Sequence, residues 1–180
     1  MLRERAAKPA AIRLAVGGLL IAAGILLPQL FHLAGGRAMG EVFLPMHLPV
    51  LLAGFCLGPL FGGAVGILTP LASCLVTGMA MPAPAILPFM VVELAVYGAA
   101  AGLFYSRFRI PALPALLLAQ LAGRGLKSLV LLLAGQVFGL PVPAALTVFT
   151  SLAVGLPGLI IQWAAVPLIL LALKKAKFID

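Results

Sequence analysis

Residues 42–92 read VFLPMHLPVLLAGFCLGPLFGGAVGILTPLASCLVTGMAMPAPAILPFMVV and contain no Asp, Glu, Lys or Arg. Residues 128–173 are likewise without a formal charge. Each run has room for two helices of about 20 residues, the length that crosses a hydrocarbon layer of about 30 Å. The rest of the chain agrees. Of its 180 residues, 64% are hydrophobic and 9% charged, with a mean hydropathy of +1.25. A soluble domain of this size has too little interior to bury that much apolar surface. The sequence therefore specifies an all-α membrane protein that crosses the bilayer several times.

The net charge of +8 raises nucleic acid as a partner, but the positions of the cations argue against it. Arg3, Arg5, Lys8 and Arg13 precede the first apolar segment, Arg107 and Arg109 lie between segments, and Lys174, Lys175 and Lys177 follow the last. These nine of the twelve cations fall where one side of a membrane would hold them, as the positive-inside rule requires. Contact with anionic lipid headgroups is the lesser reading of the same clusters. Cys56 and Cys74 lie within apolar segments and read as small packing residues, without disulfide or metal-ligand spacing.

Proline and glycine divide the chain into six expected helices, at about 10–27, 45–60, 62–78, 86–105, 112–134 and 146–173. Pro28 is expected to end the first, with a polar loop QLFHLAGGRAMGEVF behind it. Pro157 and Pro167 are expected to kink the sixth. Six spans put both termini on one side, and the cations make that side cytoplasmic. The basic start and short apolar core of residues 1–27 also fit a signal peptide, but the proline-terminated length favours a retained helix. Small residues recur four apart, as in Ala11 and Ala15, Gly18 and Ala22, Gly58, Gly62 and Gly66, and Gly98 and Gly102. Such spacing permits close helix approach, and ordinary internal packing accounts for most of it.

Three charges interrupt the expected spans: Glu93, and Arg124 and Lys127 in LAGRGLKSLVLLLAG (121–135). Ionisable groups in a bilayer cost several kcal/mol unless paired or hydrated, so they mark candidate functional sites. Counting inward at 1.5 Å per residue puts Glu93 and Lys127 both roughly 10 Å from the outer end of adjacent antiparallel helices. Arg124 lies one turn deeper, and Gln120, Arg124 and Lys127 share a helix face. Thr69, Ser73 and Thr77 line a face of the third helix, and His47 sits near the outer end of the second. Gln120 and Gln162 count as exceptions in an otherwise dry cytoplasmic half.

The plainer readings are specific. Glu93 and one cation could merely tie helices together, His47 could cap a helix, and Ser73 and Thr77 could bond to the preceding turn. Two cations against one acid nevertheless leave a surplus positive charge, which suits an anionic or strongly hydrogen-bonding solute. No zinc-ligand spacing, nucleophile elbow or phosphate-binding loop occurs, so neither enzyme chemistry nor a cofactor is expected.

The run from Met46 to Tyr105 resembles the substrate-binding S component of bacterial energy-coupling factor (ECF) transporters. The resemblance rests on MHLPVLLAG, on the GxLTPLxS pattern from Gly66 to Ser73, and on ELAVYGxxAGLFY from Glu93. AGRGLKSL is similar to the fifth helix of the same group. The resemblance implies a six-helix, vitamin-binding subunit of the plasma membrane that pairs with a transmembrane scaffold subunit and two ATPases. It implies a solute site near the outer face, under the loops after helices 1, 3 and 5. It also implies a scaffold contact through an alanine motif in helix 1, for which Ala11, Ala15, Gly18 and Ala22 are the best match.

The expected binding residues are Glu93, Arg124, Lys127, Gln120, His47, Ser73 and Thr77. The expected solute is a vitamin or related micronutrient, with pantothenate-type compounds the nearest and a carboxylate well suited to the two cations. The rival is a self-sufficient proton-coupled carrier in which Glu93 takes the proton.

Overall fold

The computed structural model describes residues 9–78, 86–138 and 153–178, and every regular element in them is helical. Helix α1 spans Ala10–Phe43, α2 His47–Leu57, α3 Pro59–Val76, α4 Leu87–Gly102, α5 Ala112–Phe138 and α6 Leu156–Lys175. A π-helical turn, Leu103–Arg107, prolongs α4. Five described helices are long and apolar enough to cross a membrane; α2 is shorter. Its 11 residues reach about 16 Å, half of a hydrocarbon layer. The expected set of six full-length spans is therefore met by five, with α2 buried among them. The expected start of the last helix at 146 lies outside the described residues.

Pro28 does not end the first helix as expected; it is buried inside α1. In lipid, ending a helix strands several backbone N–H and C=O groups, whereas continuing past proline forfeits one hydrogen bond. The real break comes at Gly35 and Gly36, where Gly36 takes φ 71° and ψ −167°, a conformation only glycine adopts readily. The expected polar loop is thus helical on both sides of a hinge. Gly40 lies against the His32 ring, although a straight helix separates residues eight apart by about 12 Å. Leu44 then closes α1 in the left-handed region, its N–H donating to the Gly40 carbonyl.

The expected GPLFGG turn is tighter than its composition suggests. Gly58 alone, at φ 89°, reverses the chain, and Pro59 starts α3 at once, where its missing N–H costs nothing. From there α2, α3 and α4 pack backbone to backbone. A Cβ on Gly98 would collide with the Gly62 carbonyl, one on Gly66 with the Leu94 carbonyl, and one on Gly54 with the Gly98 carbonyl. Around this seam sits the core of Val50, Leu51, Ala53, Leu94, Ala101, Leu116, Ala119 and Val166, each fully buried. Leucines such as Leu19, Leu33, Leu60 and Leu121 point outward and are exposed, as a lipid-facing surface requires.

The two ends of the bundle differ in charge. Arg13 donates to the Leu57 carbonyl at 2.8 Å and stacks 4.2 Å from the Phe61 ring centroid. Lys174 lies 5.7 Å from the Tyr105 ring centroid. The start of α1 and the end of α6 therefore share one end of the bundle with Arg107. The opposite end collects the polar interior.

Candidate functional site

At that opposite end, α4 and α5 run antiparallel and present their ionisable residues to each other. Lys127 Nζ donates to Glu93 Oε2 at 2.6 Å. One turn along, Arg124 Nε donates to the Tyr97 hydroxyl at 3.0 Å. The pairing is set by spacing: Glu93 and Tyr97 are i, i+4 on α4, and Arg124 and Lys127 are i, i+3 on α5, so each helix offers two groups on one face. Gly123 makes the approach possible. A Cβ there would strike the Tyr97 ring and come within 3.0 Å of the Glu93 carbonyl.

Helix α2 supplies the third wall. His47 is buried with Nε2 3.8 Å from Glu93 Oε1, and its ring meets Tyr97 edge-on at a centroid distance of 5.2 Å. Neither ring nitrogen has a hydrogen-bond partner among the described residues. A buried polar group in that condition costs free energy. The Glu93 carboxylate thus faces a lysine on one side and an imidazole on the other while itself only 3% exposed. Lys127 is less enclosed, its side chain 29% exposed.

Helix α6 closes the layer with amides. Gln120 Nε2 donates to Gln162 Oε1 at 3.0 Å, Trp163 Nε1 donates to Gln120 Oε1 at 2.7 Å, and Gln162 Nε2 donates to the Leu44 carbonyl at 3.4 Å. Gln120 and Gln162, the two polar exceptions expected in the cytoplasmic half, are thus hydrogen-bonded to each other across α5 and α6. Gln162 lies about two turns into α6 as described from Leu156, and it bonds the chain that closes α1. The amide clasp therefore adjoins the charged pair through Gln120 and Arg124 on α5.

Of the expected site residues, the structure brings Glu93, Lys127 and His47 together and places Arg124 beside them through Tyr97, whereas Gln120, one turn from Arg124, bonds α6 instead. Ser73 and Thr77 lie one turn apart at the end of α3. The Thr77 hydroxyl donates to the Ser73 carbonyl at 2.7 Å, and Thr69 similarly donates to Val65. Thr69 also turns its methyl toward Gly24 of α1, so this part of the α3 face packs on α1. Three participants escaped the sequence reading: Tyr97, Trp163 and the spacer Gly123. Tyr97 carried a usable signal, lying one turn from Glu93 on the same face. No metal-binding cluster of His, Cys, Asp or Glu occurs among the described residues.

The described helices thus form an apolar bundle with a buried charged layer at one end. The model of one family, the substrate-specific component of ECF transporters, matches residues 12–170, and the chain belongs to that family. It is accordingly a transport subunit of the bacterial plasma membrane. Membership implies a small-molecule substrate, with scaffold and ATPase partners. Neither a curated protein nor a solved structure matches the chain.

Proposed function

We propose that this chain is the high-affinity binding subunit of an ECF importer for a vitamin or related micronutrient, and that the solute is polar or anionic, as pantothenate is. The observation that carries the proposal is the charge of the buried layer. Arg124 and Lys127 face a single acid, Glu93, among the described side chains. Nature rarely leaves surplus charge within a bilayer without a use. Glu93, Arg124, Lys127, Gln120 and His47 would line the solute site, with Ser73 and Thr77 at its α3 border. The hinge in α1 places Leu44 over the amide clasp, which supports a closing role for the loop after α1. The loop after α3 lies outside the described residues.

The charged layer then faces outward, and the basic end, with both chain termini, faces the cytoplasm. Ala11, Ala15, Gly18 and Ala22 are all exposed along one side of α1, while Gly17 and Gly24 turn toward α3. That arrangement suits a scaffold contact through the small residues. Purification of the chain in detergent, followed by mass spectrometry of what accompanies it, tests the proposal directly. A bound micronutrient, and copurification with a scaffold and two ATPases, are the expected results. Uptake by the isolated chain in liposomes, driven by a pH gradient alone, would instead establish a proton-coupled carrier.

A further inference from the structure

The two cations of the site are not equivalent. Lys127 is committed to Glu93 at 2.6 Å, and together they carry no net charge. Arg124 has no acidic partner among the described side chains. Its one recorded hydrogen bond goes to a neutral phenol, through Nε. A guanidinium carries five N–H donors, so bonding through Nε leaves the two terminal nitrogens as a fork. Such a fork meets the two oxygens of a carboxylate with parallel hydrogen bonds.

The guanidinium is also held in place. Tyr97 is fully buried, flanked by Gly123 on α5 and by the His47 ring on α2. A phenol fixed on two sides fixes the arginine that bonds it, which lowers the ordering cost of binding. Beside it His47 offers two buried nitrogens without hydrogen-bond partners among the described residues. An imidazole in that state suits a hydroxyl or amide on the same solute.

Counting charge narrows the class. With the His47 imidazole counted as neutral, Glu93, Lys127 and Arg124 sum to a single positive charge. One carboxylate neutralises it. A phosphate monoester brings about −1.5 to −2 at neutral pH and would leave uncompensated negative charge in a poorly hydrated layer. A cationic solute would add to the surplus.

We infer that Arg124 alone anchors the solute, that it selects a singly charged carboxylate, and that Lys127 is a positioning residue held by Glu93. The inference rests on the solute-binding reading above and gives its substrate class.

The test uses the full chain in detergent and matched pairs of probes: pantothenate and panthenol, nicotinate and nicotinamide, biotin and its amide. Binding is followed by calorimetry, or by the fluorescence of Trp163, the chain's single tryptophan, which bonds Gln120. One of the carboxylates should bind about tenfold or more tightly than its neutral partner, as expected for a charge-assisted bond. Arg124→Gln should bring that ratio close to one. The charge-conserving double variant Glu93→Gln/Lys127→Gln, at two residues of the site lining, should weaken the acid and its neutral partner alike and so keep the ratio, and melting temperatures show which variants remain folded.

A ratio near one in the unaltered protein overturns the inference and leaves the solute-binding reading standing. So does a ratio that survives Arg124→Gln, or one abolished by the folded double variant. If no probe binds but a solute copurifies, its formula decides: a compound without a carboxylate overturns the inference, and a carboxylate enters the same titration. If no probe binds and nothing copurifies, both readings fall.

Discussion

Replacing Gly123 with alanine adds one methyl group at the tightest point between α4 and α5. That methyl would overlap the Tyr97 ring and lie 3.0 Å from the Glu93 carbonyl oxygen. Tyr97 cannot swing aside, being fully buried between α5 and His47. The helices must separate instead, and overpacking of this kind costs about 1–3 kcal/mol. Alanine in a helix also recovers about 1 kcal/mol relative to glycine, which would mask part of the loss.

Gly125 provides the correction. It lies on the same helix, exposed, with nothing within 4 Å of an added Cβ. The difference between Gly123→Ala and Gly125→Ala therefore removes the propensity gain and isolates the packing cost. At about 2–4 °C per kcal/mol for a chain of this size, Gly123→Ala should melt roughly 2–12 °C below Gly125→Ala in detergent. Helix separation would also lengthen the 2.6 Å Lys127–Glu93 and 3.0 Å Arg124–Tyr97 contacts, so solute affinity should fall in Gly123→Ala only. Equal melting temperatures and equal affinities in the two variants would refute the account of how α4 and α5 meet.

Lys127→Met strands the Glu93 carboxylate in a buried site and should destabilise by several kcal/mol, whereas Glu93→Gln/Lys127→Met should recover most of the loss; thermal melting of both variants decides. Gln162→Leu leaves the Gln120 amide and the Leu44 carbonyl without their partner and should cost about 1–3 kcal/mol. Hydrogen exchange should then rise in residues 36–44, and unchanged exchange there would count against the clasp. Ala15→Leu enlarges the exposed small-residue side of α1 and should reduce copurification of the scaffold subunit, read against the melting temperature of the isolated chain. Undiminished copurification of a folded Ala15→Leu variant would move the scaffold contact elsewhere.

Much of this protein is written in one dimension. Charge-free runs longer than a bilayer is thick oblige the chain to enter lipid, because no folded interior of this size could hide them. The same cost of burying charge made Glu93, Arg124 and Lys127 conspicuous, and helical periodicity alone set Gln120, Arg124 and Lys127 on one face. Glycine spacing announced the seam between α2, α3 and α4. What the sequence left open depended on helix ends and on neighbours. Pro28 reads as a stop in water, but lipid penalises the broken helix more than the missing hydrogen bond. The partners of Gln120 and Gln162 were tertiary, because a helical wheel places an amide on a face without saying which neighbouring helix meets it. The choice of Lys127 rather than Arg124 as the partner of Glu93 was also tertiary. It follows from Gly123, which lets the Tyr97 ring and α5 come together. That approach gives the arginine a neutral phenol in place of the carboxylate.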